Sequence, residues 1–445
     1  VTAGPAAPPA ARTGLSGAIA TLAAGNLFPA LVSVATGPVL AQALDLEGRG
    51  QVAAAMAPFT LVTSILTFGV PEAATYAVAR APGLARTVLR RSSWLMAGAG
   101  LLAVAVVWLL SPFLSGGQDA IRSLMLLASC ALVPQLVVGS LRGAAAGLGR
   151  WRALAAEKVL SSVTKLVVLV PLWLTGHLTP LTATVVLAGL PLLGAVPYLL
   201  VLRGTGPVVA SPPAQVRAAG LLRFGLRVWA GSLAGVLLMR LDQSLVTPLS
   251  DADQAGLYAV AVAVGELPLL LSAAVRDVTF VSEAAGSDDA RLARTSRVAT
   301  LVCGAVALGV GLTMGWWLPL LFGAAFAPAV PVTAVVLAAV VLGIPGSVAG
   351  SALGGRGRPG LRSVSLAVAC AVNLVVLLLL VPSTGALGAA WATLVGNAVA
   401  AGMNLVFARA VLGTAVLPFL GLRRGDVGVL VAAGRRMLGG ARRRR

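Results

Sequence analysis

The sequence predicts an all-α polytopic membrane protein with twelve transmembrane helices in two parallel six-helix lobes. Three observations predict it: long apolar runs, basic residues that alternate between successive junctions, and two halves that repeat one another.

Hydrophobic residues make up 58% of the 445 positions and charged residues 11%. A soluble domain carries roughly 25% charged residues. LLAVAVVWLL (101–110) and LVVLLLLVP (374–382) each sit in longer, nearly uncharged stretches. Such stretches reach the ~20 residues that a helix needs to cross about 30 Å of hydrocarbon.

In chain order, a Pro/Ala-rich start at 1–14 lacks the basic–apolar–small order of a cleaved signal peptide, so it is expected to be a disordered cytoplasmic tail. The N-lobe, 15–203, holds segments at 15–43, 50–80, 88–111, 120–148, 151–175 and 179–203. A short linker, 204–216, leads to the C-lobe, 217–411. Its segments are 217–249, 254–283, 291–320, 326–353, 360–382 and 385–411. A basic tail, 412–445, closes the chain.

Charge tests this layout. Of 33 Lys and Arg, 28 fall at the termini or at junctions following even-numbered segments, two (Arg49 and Arg122) at the opposite junctions, and three inside segments. By the positive-inside rule the richer side is cytoplasmic, which puts both termini in the cytosol and the protein in the inner membrane. A miscount by one segment would scramble the alternation. The net charge of +19 then follows largely from topology, with no nucleic acid needed as partner. The tail, GLRRGDVGVLVAAGRRMLGGARRRR, is expected to meet anionic lipids. Trp108, Trp173, Trp316 and Trp317 fall near outer ends, and Trp94 and Trp151 near inner ones.

The halves echo one another. GSLRGAAAGLGRWR starts at Gly139 and GSVAGSALGGRGRP at Gly346, each closing the fourth segment of its half. LVVLVPLWLTG (166–176) returns as LVVLLLLVPSTG (374–385). An even number of helices per unit inserts both copies with the same orientation. Within the first stretch Gly139, Gly143 and Gly147 share a helix face, as do Gly346, Gly350 and Gly354 in the second. Small residues in that pattern let backbones approach closely and let helices slide.

Ionisable side chains deep in a membrane are costly and face the bundle interior or a water-filled cavity. Lys165 stands roughly 20 Å into its segment. Arg240 and Asp242 lie in the outer half of segment 7 and Glu266 near the middle of segment 8. Arg240 and Asp242 are two residues apart and so point away from each other on a helix, which leaves Arg240 to meet Glu266. These four are the candidate cavity residues. Glu72 and the pair Arg276–Asp277 lie near cytoplasmic ends, where snorkelling is sufficient. Asn26, Asn373, Asn397 and Asn404 are expected to bond between helices, and Cys130, Cys303 and Cys370 to be small core residues. The single histidine, His177, has no neighbouring carboxylate, and no nucleotide, hydrolase or metal spacing occurs. No enzyme, cofactor or metal is therefore expected.

LEGRGQVAAAMAPFTLVTSILTFGVPEAATYAVAR (46–80) and LMRLDQSLVTPLSDADQAGLYAVAVAVGELPLLLSAAVRDVTF (238–280) carry a further signal. Together they resemble the polysaccharide-biosynthesis flippases of the multidrug/oligosaccharidyl-lipid/polysaccharide exporter superfamily. The resemblance implies a V-shaped exporter fold and alternating access. It also implies an undecaprenyl-diphosphate-linked oligosaccharide as cargo, with polysaccharide polymerases or glycosyltransferases as partners. The rival of the same fold is a proton- or sodium-coupled antiporter of drugs or organic cations.

Overall fold

The computed structural model describes residues 10–198, 213, 216–286 and 288–420. The first nine residues, most of the 204–216 linker and the tail beyond Leu420 lie outside them, as do the side chains of Asn26 and Asp277. All regular structure among the described residues is helical. Helix α1 is Ala10–Ile65, followed by α2 (Val70–Arg80), α3 (Ala85–Leu114), α4 (Asp119–Ser129), α5 (Leu132–Gly147), α6 (Trp151–Leu174) and α7 (Pro180–Gly189). Then come α8 (Ala218–Leu249), α9 (Ala252–Ala285), α10 (Asp289–Phe322), α11 (Ala329–Gly355), α12 (Pro359–Thr384), α13 (Ala386–Leu412) and the single turn α14 (Leu417–Leu420).

By length and apolarity, eight membrane-crossing helices are present among the described residues, or nine when one bent pair counts as a span. The count of twelve rests on the charge alternation. Large apolar side chains such as Leu109, Leu174, Leu312 and Leu379 are exposed, as lipid-facing positions require, and so are Trp94, Trp108 and Trp316.

The chain departs from the predicted segments where proline or a turn interrupts the ladder. Segments 1 and 2 meet without an intervening loop: within Ala10–Ile65 two helices join across a kink at Asp45 (φ 55°, ψ −171°), in the predicted gap between them. An aspartate tolerates that left-handed φ better than most residues. Segment 2 is broken at 66–69, where Phe68 and Gly69 have φ of 45° and 64°. Pro71 has no N–H to donate to the turn before it, so α2 starts as a new helix, bent 41° from α1. Segment 4 splits into α4 and α5 at Cys130–Ala131, four residues ahead of the Pro134 ring and its missing donor. Segment 6 leaves α7 through a tighter 3₁₀ turn, Leu190–Ala195, that contains Pro191.

The chain divides into two compact units. Unit 1 runs to Val236 and includes Gln243–Gly256 and Leu321–Gly323. Unit 2 comprises Leu237–Asp242, Leu257–Leu320 and Ala324 onward. In unit 1 the cores join the second half of α1 to α3, α4 and α5, and its first half to α6 and α7. In unit 2, Leu292, Val348, Ala349, Leu405 and Phe419 form one cluster, which seats α14 against α10, α11 and α13. The Arg297 guanidinium donates to the Pro418 carbonyl at 2.6 Å and fixes the same turn.

Arginines assigned to topology also build the units. In unit 1, Arg142 makes a bidentate pair with buried Glu157 (3.0 and 2.5 Å), and Tyr198 donates to the same carboxylate at 2.6 Å. In unit 2, Arg356 bonds buried Glu283 at 2.8 Å and Asp289 at 2.6 Å. Each network ties three chain segments with charge-assisted bonds. Of the cysteines, Cys303 and Cys370 are buried, but Cys130 is exposed, because the α4–α5 break turns it outward.

Both glycine stretches are close-packed. A Cβ on Gly143 would collide with the Pro71 carbonyl, and one on Gly147 would lie 2.7 Å from the Thr75 carbonyl of α2. Thr75 Oγ1 donates to the Gly143 carbonyl at 3.0 Å across that contact. In unit 2 the neighbour is α13: a Cβ on Gly346 would collide with the Ala401 backbone, and one on Gly350 would stand 2.9 Å from Asn404 Nδ2. Gly354 is half-buried. The repeat thus supplies a smooth face whose partner differs between the units.

Orientation and glycine packing can each be tested. In a Cys130→Ala background, cysteines at Gln118 or Asp253 should react with an impermeant thiol reagent applied outside intact cells, and cysteines at Gly83 or Gly360 should not. Reaction from outside at Gly83 contradicts the twelve-span orientation. Gly143→Leu should destabilise the detergent-solubilised protein by about 1–3 kcal/mol, because the backbone of α2 must move. Gly350→Leu, which meets a side-chain amide instead, should cost less in the same thermal melt.

Candidate functional site

Unit 1 contains a cavity of about 310 Å³ beside the break between α1 and α2. Ser64, Thr67, Gly69 and Glu72 line one side, and Trp229, Ser232 and apolar residues of α8 the other. The break frees the Ile65 carbonyl, which accepts the indole N–H of Trp229 at 2.6 Å. Phe68 packs against the same indole with ring centroids 5.6 Å apart. Below it α2 and α8 meet backbone to backbone: a Cβ on Gly69 would collide with the Gly225 carbonyl. The indole therefore presents only apolar ring to the cavity.

Hydroxyls line both sides. Ser64 Oγ donates to the Thr60 carbonyl (2.8 Å), Thr67 Oγ1 to Ser64 (3.2 Å) and Ser232 Oγ to Trp229 (3.1 Å). Each hydroxyl proton is committed to a backbone carbonyl three or four residues earlier, and the lone pairs remain to accept. Glu72 is exposed and has no ion-pair partner among the described residues. Glu72, expected from sequence to snorkel, is exposed and also lines the cavity.

Unit 2 holds a second polar site, around Asp242. Its carboxylate is 3% exposed and accepts hydrogen bonds from the Tyr258 hydroxyl of α9 and from Thr393 Oγ1 of α13, the latter at 3.0 Å. Tyr258 and Thr393 hydroxyls lie 2.9 Å apart. On α12, Asn373 is fully buried with neither side-chain polar atom hydrogen-bonded, close to Gly396. Asn397 Nδ2 donates to the Ala339 carbonyl at 3.3 Å, a bond between α13 and α11. The hydroxyls bring α9 and α13 to the Asp242 carboxylate of α8. A divalent site asks for more, and no group of three His, Cys, Asp or Glu exists among the described residues.

Arg240, on α8, and Glu266, on α9, are both half-buried. Lys165 is half-buried on α6 and has no ion-pair partner among the described residues. Sequence reasoning missed Tyr258, Thr393 and Trp229. A signal was present for one of them: the chain has three tyrosines, and two of them, Tyr198 and Tyr258, donate to buried carboxylates.

The family model for polysaccharide biosynthesis proteins matches residues 17–280, more than half of the chain. The chain belongs to that family. Several solved structures share the fold of this polysaccharide biosynthesis protein. An inward-facing multidrug resistance MATE family transporter of the MOP superfamily is 16% identical with a TM-score of 0.68, over 89% of this chain and 98% of that one. The lipid II flippase MurJ, in an inward closed conformation, is 14% identical with a TM-score of 0.67, over 89% and 88%. A MOP superfamily transporter from Pyrococcus furiosus is 14% identical with a TM-score of 0.58, over 88% and 94%. No curated protein matches the sequence. At such identities the structures establish the fold.

The Asp242 site yields a double-mutant test. Tyr258→Phe should cost about 1–3 kcal/mol, because a buried carboxylate loses a donor. In an Asp242→Asn background the same change should cost clearly less, so that thermal melts of the four proteins give a coupling energy. Additive effects would show that the hydroxyl does not serve the carboxylate.

Proposed function

We propose that this protein moves an undecaprenyl-diphosphate-linked oligosaccharide from the inner to the outer leaflet of the cytoplasmic membrane, by alternating access and without enzymatic chemistry. Membership of the polysaccharide biosynthesis family is the observation that carries the reading. The fold shared with a lipid II flippase supports it. On this reading the two sequence-predicted lobes rock against one another, both termini are cytoplasmic, and the basic tail holds anionic lipid.

The physical demand is on the headgroup. A diphosphate leaving water for a low-dielectric layer needs cationic partners, because an unpaired charge there is prohibitively costly. Arg240 fills that role: its planar fork matches phosphate oxygens, and Glu266, half-buried on the next helix, is the carboxylate to balance the guanidinium when cargo is absent. Lys165 is the second cation on offer. The polyprenyl chain stays in lipid.

One observation favours a second reading, the organic-cation antiporter: among the described residues, the cavity beside the α1–α2 break has Glu72 as its single charged lining residue. Charge substitutions separate the two. Arg240→Ala should cause lipid-linked glycan to accumulate in the inner leaflet, and Arg240→Lys should restore only part of transport. Glu266→Gln should be milder, because the amide oxygen still accepts from Arg240. A silent Arg240→Ala, combined with loss of organic-cation resistance in Glu72→Gln or Glu266→Gln, would decide for the antiporter.

A further inference from the structure

The cavity at the helix break has a chemistry distinct from that of a phosphate site. Its polar wall consists of the Glu72 carboxylate and the hydroxyls of Ser64, Thr67 and Ser232, whose protons are already committed to backbone carbonyls. Among the described residues the cavity wall offers acceptors and no cation. Beside Ser232 on α8, and across from Ser64, Thr67 and Glu72, is the Trp229 indole, whose N–H is committed to Ile65 and whose ring is apolar. An anion entering here would meet a carboxylate and lone pairs. A ligand that suits the wall brings hydrogen-bond donors on one edge and C–H groups on a face.

A pyranose ring has that character: equatorial hydroxyls around the edge, and axial C–H bonds that pack on an aromatic ring. A carboxylate accepts from two neighbouring hydroxyls at once, with the strength of a charge-assisted bond. At about 310 Å³ the cavity lies at the small end of the ~300–1,000 Å³ usual for small-molecule sites, which suits one ring and not a chain of them. We propose that this cavity is a sugar subsite, taking one pyranose of the glycan headgroup through its hydroxyl donors while the diphosphate is bound elsewhere. The proposal rests on the flippase reading for the identity of its natural ligand, though not for the binding chemistry.

The position supports the role. The cavity exists because the helix is broken: Gly69 and Pro71 end the ladder, and the freed Ile65 carbonyl holds Trp229 in place. Irregular backbone at membrane depth is tolerated where it is buried in protein or lines a cavity. Here it does both. Trp229 acts as a positioning residue for the break and as the apolar wall of the subsite.

The test uses the full chain in lipid nanodiscs, with methyl glucoside, inorganic pyrophosphate and tetramethylammonium as probes. Saturation-transfer NMR should detect methyl glucoside on the wild type, with pyrophosphate unable to displace it. Ser232→Leu fills the mouth from an exposed position, and Glu72→Ala removes the charged acceptor. Each should weaken binding about tenfold or more without changing the melting temperature. If Ser232→Leu melts early, Glu72→Ala decides. Absence of transfer to the glucoside, binding unchanged in the variants, or displacement by tetramethylammonium overturns the proposal, the last outcome in favour of a cation site. A transport arm separates this from the flippase reading. In proteoliposomes Ser232→Leu should slow a glycan-bearing lipid diphosphate and spare the same lipid without sugar. Equal slowing of both overturns the subsite. A wild type that moves neither overturns the flippase reading, and the binding arm still decides the subsite.

Discussion

The hydrogen bond from the Trp229 indole to the Ile65 carbonyl is the contact on which the candidate site depends. In hydrocarbon an unbonded backbone carbonyl costs several kcal/mol, so a transmembrane helix can be interrupted only if the protein supplies the missing partner. Pro71 removes a donor from the ladder and Gly69 makes the break sterically possible, with φ of 64° and α8 in backbone contact. Without a donor from α8, the freed carbonyl would have to be satisfied by water. With it, the break becomes a fixed notch whose walls are hydroxyls, a carboxylate and an aromatic ring.

The same constraint governs charge. Few ionisable groups lie within the apolar helices, and the buried ones are organised. Glu157 is held by Arg142 and Tyr198, Glu283 by Arg356, and Asp242 by Tyr258 and Thr393. The first two are pairs of opposite charge at the basic ends of the helices, and they fix helix to helix. Asp242 differs in kind, since both of these partners are hydroxyls.

Close glycine packing sets the remaining geometry. The α5 glycines admit Pro71 and Thr75 of α2, the segment immediately after the break, so the face singled out by repetition holds one wall of the notch. In unit 2 the matching glycines meet Ala401 and Asn404 of α13, the helix that also carries Thr393 to Asp242. In both units, backbone approach at small residues positions the polar side chains nearby.

Much of this was legible in the sequence. Apolar length fixes where helices can span, and the predicted segments fall on helices among the described residues, because a spanning chain must satisfy its backbone locally. The glycine faces and the rarity of Arg240, Asp242, Glu266 and Lys165 were equally visible, since membrane burial makes each charge conspicuous. Tertiary structure alone decided the rest. Whether Pro71 kinks a helix or ends it depends on Trp229, a donor 164 positions from the carbonyl it meets, which no local pattern announces. Glu72 is a snorkelling residue by sequence spacing and a cavity wall by packing, because exposure to a cavity is a property of neighbours. Asp242 gains its two hydroxyl donors from α9 and α13, helices that meet only after the chain has folded. Backbone satisfaction is local and so is written in sequence; the pairing of polar side chains is not.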